Sequence, residues 1–190
     1  MKMDKEKLPI YEPKKRVGLV VVITGPGKGK TTSALGMALR AVGYQMKVCI
    51  IHFIKGDMYA GEMDGIKRLS PEVEVHLSGK GFCGIMGDTL TFEEHRTSAQ
   101  DAIKLAREKM LSGAFDILIL DEVNNTLKLG LIDLPQLINI IDNKPPLMHL
   151  ILTGRDADPE VIQRAHTVTE VQEIKHAFRE GIEPQKGIDY

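Results

Sequence analysis

Short apolar runs alternate along the chain with segments of helical length. Runs rich in Val, Ile and Leu occupy Val17–Thr24, Lys47–Ile54, Val73–Leu77, Phe115–Leu120, Met148–Thr153 and Thr167–Val171. Most lack strict polar alternation, the pattern of parallel strands covered on both faces. Between them, Thr31–Val42 is rich in Ala and Leu and stops at Gly43, a suitable C-cap. Phe92–Ser112 places Phe92, Ala99, Ile103, Ala106 and Met110 on one helical face. Thr91 and Glu94 have the form of a capping box at its start. Leu134–Asp142 and Pro159–Ala165 complete the helices, the second with Asp158 as N-cap and Pro159 in first position. Strands alternating with helices require right-handed crossovers. The expected fold is therefore α/β, a mostly parallel doubly wound sheet with helices on both faces.

Three stretches depart from this order. Ser78–Thr91 spaces Gly79, Gly81, Gly84 and Gly87 around Phe82, Ile85 and Met86, which reads as a mobile lid or a poorly ordered loop. Glu173–Tyr190 has little periodicity, yet its terminal Ile188 and Tyr190 are candidates for docking back on the domain. Met1–Arg16 carries six basic and three acidic residues, with Pro9 and Pro13 interrupting any helix. It reads as a mobile arm, either a solvated tail or an attractor of phosphate-rich ligands. Residues 17–190 are expected to form one domain, as the length of 190 residues suggests.

Composition narrows the function classes. Lys and Arg total 25 against 26 Asp and Glu, so no overall field pulls the chain toward nucleic acid or an anionic membrane. A chain of this length buries roughly 70% of its unfolded surface and needs no disulfide or metal staple. Cys49 and Cys83 match no zinc or redox spacing, and Cys49 reads as a core residue. Residues 1–16 lack the apolar stretch of a secretion signal, and no run approaches the ~20 residues of a spanning helix. The expected setting is the reducing cytoplasm.

The chemistry concentrates in Thr24-Gly25-Pro26-Gly27-Lys28-Gly29-Lys30-Thr31-Thr32, after an apolar strand and before a helix. That is the context of a phosphate-binding P-loop. Glycines let backbone N–H groups converge on phosphate oxygens, and the helix N-terminus adds roughly half a positive charge. Lys30 reaches bridging phosphate oxygens and the Thr31 hydroxyl can ligate Mg²⁺. The loop is a variant of G-x-x-x-x-G-K-[ST], with only three residues between Gly25 and Gly29 and Thr24 in the first glycine's slot. A second constellation is Phe115–Glu122, an apolar strand ending in Asp121 and Glu122, the form of a Walker B segment. Alone it also fits a capped helix start; beside a P-loop, its oxygens point to a nucleotide-bound Mg²⁺. Further polar residues end other strands: His52, Lys55 and Glu62, then Thr153-Gly154-Arg155. Arg155 can grip a phosphate with two parallel hydrogen bonds or form a surface salt bridge. His52 fits equally a satisfied strand-end histidine or a functional one. His95, His149, His166 and His176 show no metal-ligand spacing.

From Gly18 to Tyr190 the sequence resembles the corrinoid adenosyltransferases of the CobA/BtuR type, the ATP:cob(I)alamin adenosyltransferases. The resemblance rests on T-G-P-G-K-G-K-T-T, A-L-R-A-V-G in the following helix, F-I-K-G at Phe53–Gly56 and G-E at Gly61–Glu62. It continues with L-D-E at Leu120–Glu122, T-G-R at Thr153–Arg155, K-H-A-F at Lys175–Phe178 and Q-K-G-I-D-Y at Gln185–Tyr190. It implies a RecA-like P-loop fold and a homodimer that transfers the 5′-deoxyadenosyl group of ATP to the Co(I) of a reduced corrinoid. Triphosphate leaves, held in an orientation reversed from that of common P-loop hydrolases, and the product is adenosylcobalamin or a precursor. Carried onto this chain, the triphosphate falls to Gly25, Pro26, Gly27, Lys28, Gly29, Lys30, Thr31 and Thr32. Mg²⁺ falls to Thr31 and Glu122, and the catalytic set is Lys30, Glu122 and Arg155. The acceptor is a corrinoid such as cobalamin or cobinamide, bound in an apolar pocket that keeps the lower axial cobalt ligand off. Gly81-Phe82 matches the family's Gly-Phe there, which makes Phe82 a corrinoid contact. Family members commonly place a tryptophan shortly after that Phe, whereas this chain has none. The resemblance also implies a cytoplasmic enzyme served by an electron donor such as a flavodoxin, with no nucleic-acid or membrane partner. The competing readings are a P-loop phosphotransferase or NTPase acting on a small molecule, and a non-catalytic ATP-binding regulator or corrinoid carrier.

Overall fold

Strands with apolar residues on both faces must lie between two helical layers, and the connections decide their order. The computed structural model describes residues 12–56, 60–81, 83–84 and 88–190. Phe82, Ile85 and Met86, and all of the arm before residue 12, lie outside the described residues. Among those described, strands β1 (Val20–Thr24), β2 (Val48–His52), β3 (Val73–Leu77), β4 (Ile117–Asp121), β5 (His149–Thr153) and β6 (Thr167–Glu170) form one sheet in the order β3-β2-β4-β5-β1-β6. Every pairing is parallel. The doubly wound α/β expectation holds.

Alternate residues of each strand serve opposite layers. Ile23, Ile50, Ile119 and Ile151 pack with Ala34, Ala38 and Ala41 of helix α1 (Lys30–Val42) and Ile66 of α2 (Gly61–Lys67). Small alanines let α1 lie close against the sheet beneath the P-loop. Val22, Ile51, Leu118, Leu120, Leu150 and Leu152 face the other layer. There they meet α3 (Phe92–Leu111), α5 (Leu134–Asp142) and α6 (Pro159–Arg164). Thr91 and Glu94 form the expected capping box, and Asp158 caps α6 by accepting from the Glu160 N–H at 2.8 Å.

Gly43 is the C-cap of α1 as expected, although at φ −59° it makes no use of glycine's left-handed freedom. Two other local readings change. All four residues of β6 are exposed, because this strand is the sheet edge beside β1 and no helix among the described residues covers it. The seven-residue α2 and the six-residue α4 (Val123–Lys128) were not evident as helices. Neither is long enough to show a helical period. A short 3-10 helix, Ala177–Glu180, interrupts the tail. No helix among the described residues is long and apolar enough to cross a membrane.

Candidate functional site

Because the sheet is parallel, β1, β2, β4 and β5 deliver their last residues to one edge. The P-loop follows β1 there. Gly29 takes φ +114° at the start of α1 with nothing within 4 Å of a hypothetical β-carbon, so conformation rather than space calls for glycine. No side chain caps α1 and its first turn holds no acidic residue. The N–H groups and positive end of this helix thus keep their capacity for an anion.

Gly27 serves a different purpose from the one its motif suggests. Its N–H donates to the Val171 carbonyl at 2.7 Å, and a β-carbon on it would lie 2.6 Å from the Gln172 carbonyl oxygen. The glycine admits the chain's own backbone after β6, and its N–H is withdrawn from any phosphate. Thr24, in the slot of the usual first glycine, uses its hydroxyl to accept the Ala157 N–H at 3.2 Å, tying the loop to the turn after β5.

Lys30 Nζ donates to the Gly25 and Gly27 carbonyls at 2.8 and 2.6 Å, curling over its own loop. Burial, then the nearby Arg155 charge, lowers its pKa below that of an ordinary lysine. Thr31 Oγ1 donates to Asp121 Oδ1 at 2.9 Å, and Thr153 Oγ1 donates to the same oxygen at 2.6 Å. Asp121 Oδ2 lies 2.8 Å from His52 Nδ1, the residue opposite it in the β2–β4 register. Burial opposes ionisation of Asp121, but hydrogen bonds from His52, Thr153 and Thr31 outweigh it and hold the carboxyl below its usual range.

Glu122 sits next to it at φ +64°, with its N–H donating to Thr153 Oγ1 at 2.9 Å. Burial and the adjacent Asp121 charge push its carboxyl up to about 7. Its Oε2 is buried without a hydrogen-bond partner among the described residues. An acceptor so placed suits a cation, and oxygen donors are what a hard divalent ion takes.

These groups border a cleft of about 880 Å³. Pro26, Gly27, Lys28, Gly29, Lys30, Thr31, Thr32, Glu122 and Arg155 all line it, joined by Lys55, Glu62 and Thr153. Gly25 contributes its carbonyl to Lys30. Phe82, the expected corrinoid contact, lies outside the described residues. The tail closes one side through Glu173, His176 and Gly187–Tyr190, and Lys28 Nζ meets Asp189 Oδ1 at 3.0 Å. Ile188 and Tyr190 therefore reach the site as expected of docking residues.

Sequence reasoning missed the centrality of Asp121, because the partners that claim it come from the ends of β2 and β5 and the first turn of α1. It also missed Asn125, whose Oδ1 accepts the Arg155 N–H at 2.8 Å and fixes the turn after β5. Glu173 was missed too, and His176 was noted only as a histidine without metal-ligand spacing and within K-H-A-F. No local periodicity marks such positions.

The chain also has clear relatives among known proteins. Residues 16–190 match a family described as ATP:corrinoid adenosyltransferase BtuR/CobO/CobP. A corrinoid adenosyltransferase from Pseudomonas aeruginosa is 38% identical over 173 residues, covering 91% of this chain and 84% of that protein. One from Salmonella typhimurium is 30% identical over 192 residues, covering 98% and 93%. Among solved structures, the flagellar accessory protein FlaH from Methanocaldococcus jannaschii superposes with a TM-score of 0.51 at 13% identity. It covers 82% of this chain and 71% of that one, a likeness of fold alone.

Proposed function

The chain belongs to the ATP:corrinoid adenosyltransferase BtuR/CobO/CobP family, and from that membership we propose how its cleft transfers an adenosyl group from ATP to a reduced corrinoid. The observation that carries the assignment is the meeting of Lys30, Arg155 and the uncapped start of α1 around one cleft. Burial, then the Arg155 charge beside it, disfavours the Lys30 ammonium, and a triphosphate would supply the anion that stabilises it.

On this reading Gly25–Thr32 wraps the triphosphate and leaves the ribose 5′ carbon facing the acceptor. The cobalt of the reduced corrinoid, the substrate, gives an electron pair to that carbon. The bond from carbon to the triphosphate oxygen breaks, and its electrons depart with the leaving group. Lys30 exchanges the Gly25 and Gly27 carbonyls for phosphate oxygens, so a positioned donor meets the charge as it develops; Arg155 does the same from the β5 side. Gly27 holds the tail strand rather than phosphate. Thr31 and Glu122 would hold Mg²⁺, which would neutralise part of the triphosphate charge. Asp121 orients Thr31 and, through Thr153, the Glu122 backbone.

Phe82 as a corrinoid contact, a homodimer, a cytoplasmic setting and a reductant such as a flavodoxin extend the proposal on the strength of the family resemblance. The test is anaerobic incubation with ATP, Mg²⁺ and chemically reduced cobalamin or cobinamide, following the adenosylcorrinoid spectrum. Lys30→Ala and Glu122→Gln are expected to fold, with turnover reduced about 100-fold or more. Folded variants that react at the wild-type rate would contradict the assignment.

A further inference from the structure

Away from the cleft, two groups of side chains bring a thiol, an imidazole and a carboxylate together. Cys49, Glu74 and His76 form one; Cys83, Asp88 and His95 form the other. In each, the potential ligand atoms all lie within 4.8 Å of one another. The first is already neutralised. Lys109 Nζ is 2.6 Å from Glu74 Oε1, and burial with the Glu74 charge pushes the Cys49 thiol up to about 12. A cation there would compete with an ammonium group and a tightly held proton.

The second group has a different environment. His95 is buried in the first turn of α3, and its Nε2 lies 3.0 and 3.1 Å from the two oxygens of Asp88. The Gly84 N–H donates to Oδ2 at 2.8 Å and the Leu90 N–H to Oδ1 at 3.0 Å. Each oxygen keeps a second lone pair facing the imidazole. These backbone donors, with His95, fix the orientation of the Asp88 carboxylate before any ligand arrives. Cys83 is a free, half-buried thiol beside them. The nitrogen–oxygen separations are close to the ~3.3 Å edge of a tetrahedron with bonds of about 2.0–2.2 Å.

We propose that Cys83, Asp88 and His95 bind one divalent transition metal of the zinc class. A sulfur–nitrogen–oxygen set suits zinc and disfavours Mg²⁺ and Ca²⁺. On binding, the Cys83 thiol releases its proton to solvent, and His95 presents Nε2 as a lone pair with its remaining proton on Nδ1. Three protein donors leave the fourth tetrahedral position to water. The metal ties positions 83 and 88 to the start of α3, replacing the hydrogen-bonded contact of Asp88 with His95. The intervals between 83, 88 and 95 follow no zinc motif, which is why the sequence alone does not display the site.

The test is titration of metal-free, nucleotide-free full-length protein with Zn²⁺ against a chromophoric chelator, and with Co²⁺ followed by absorbance. One equivalent is expected, with a thiolate-to-cobalt charge-transfer band in the near ultraviolet. Cys83→Ser and His95→Gln should each weaken binding about tenfold or more, and Cys83→Ser should abolish the band. Cys49→Ser should leave both unchanged. If His95→Gln fails to fold by circular dichroism, Cys83→Ser, at a partly exposed position, decides alone. Sub-stoichiometric binding, an unchanged band in Cys83→Ser, or loss of binding in Cys49→Ser would each overturn the proposal. The readout is metal binding, so it stands or falls separately from adenosyl transfer.

Discussion

Asp121 is 1% exposed, yet it accepts hydrogen bonds from Thr31 and Thr153 and pairs with His52. A buried carboxylate persists only where such partners replace water. Asp121→Asn removes the anion opposite the His52 ring and should cost about 1–3 kcal/mol, lowering the melting temperature by several degrees. The pH dependence follows from the lowered folded pKa. Above the ordinary value of about 3.9, folded and unfolded chains both carry the charge and its contribution is complete. The contribution is lost as pH falls through the folded value. The stability gap between wild type and Asp121→Asn, measured by urea unfolding, should therefore hold at neutral pH and shrink below about pH 4. A gap that widens on acidification would contradict this role. The Asp121–Glu122 pair was legible because an apolar run ended in adjacent carboxylates. The division of labour was not. Thr31 contacts Asp121 while Glu122 keeps an unpartnered oxygen, and only the register of β2 against β4 sets His52 opposite.

The P-loop and the backbone after β6 show the same limit among elements. Gly27 is required by the close approach of residues 171 and 172, a contact between segments far apart in the chain. Gly27→Ala should displace that backbone, destabilising the protein by about 1–3 kcal/mol and weakening ATP binding. Gly36 is a matched control inside α1, exposed and with nothing within 4 Å of a new β-carbon. Gly36→Ala should stabilise by about 0.5–1 kcal/mol and leave ATP affinity unchanged. Denaturant unfolding and nucleotide titration of the two variants check both halves. Equal effects would remove the close-approach argument. Long helices such as α3 were readable from period and cap together. The short α2 and α4 were not, because each is held by its junctions: α2 begins with the Glu62 carboxylate paired to Lys55, and α4 springs from the left-handed Glu122. Strand β6 was legible as Thr167–Val171, but its exposure was not, since its edge position depends on the whole sheet order.

Across the whole molecule, parallel strands gather the P-loop, the carboxylate pair and the T-G-R turn at one sheet edge, and the tail returns to close it. The order of these motifs along the chain was legible, and so was their α/β frame. The manner of closure was not. Ile188 and Tyr190 stay 72% and 49% exposed while the Lys28–Asp189 contact does the holding, so polar complementarity rather than apolar burial seats the tail. That arrangement borders a cleft of about 880 Å³, and the chemistry proposed for it is defined by which bond of ATP breaks. Phosphorus NMR of a completed anaerobic reaction with reduced cobalamin measures this directly. Inorganic triphosphate should appear in a one-to-one ratio with adenosylcobalamin, as cleavage at the ribose carbon requires. Release of ADP and phosphate at the rate of ATP loss would contradict adenosyl transfer and assign the cleft to phosphoryl transfer.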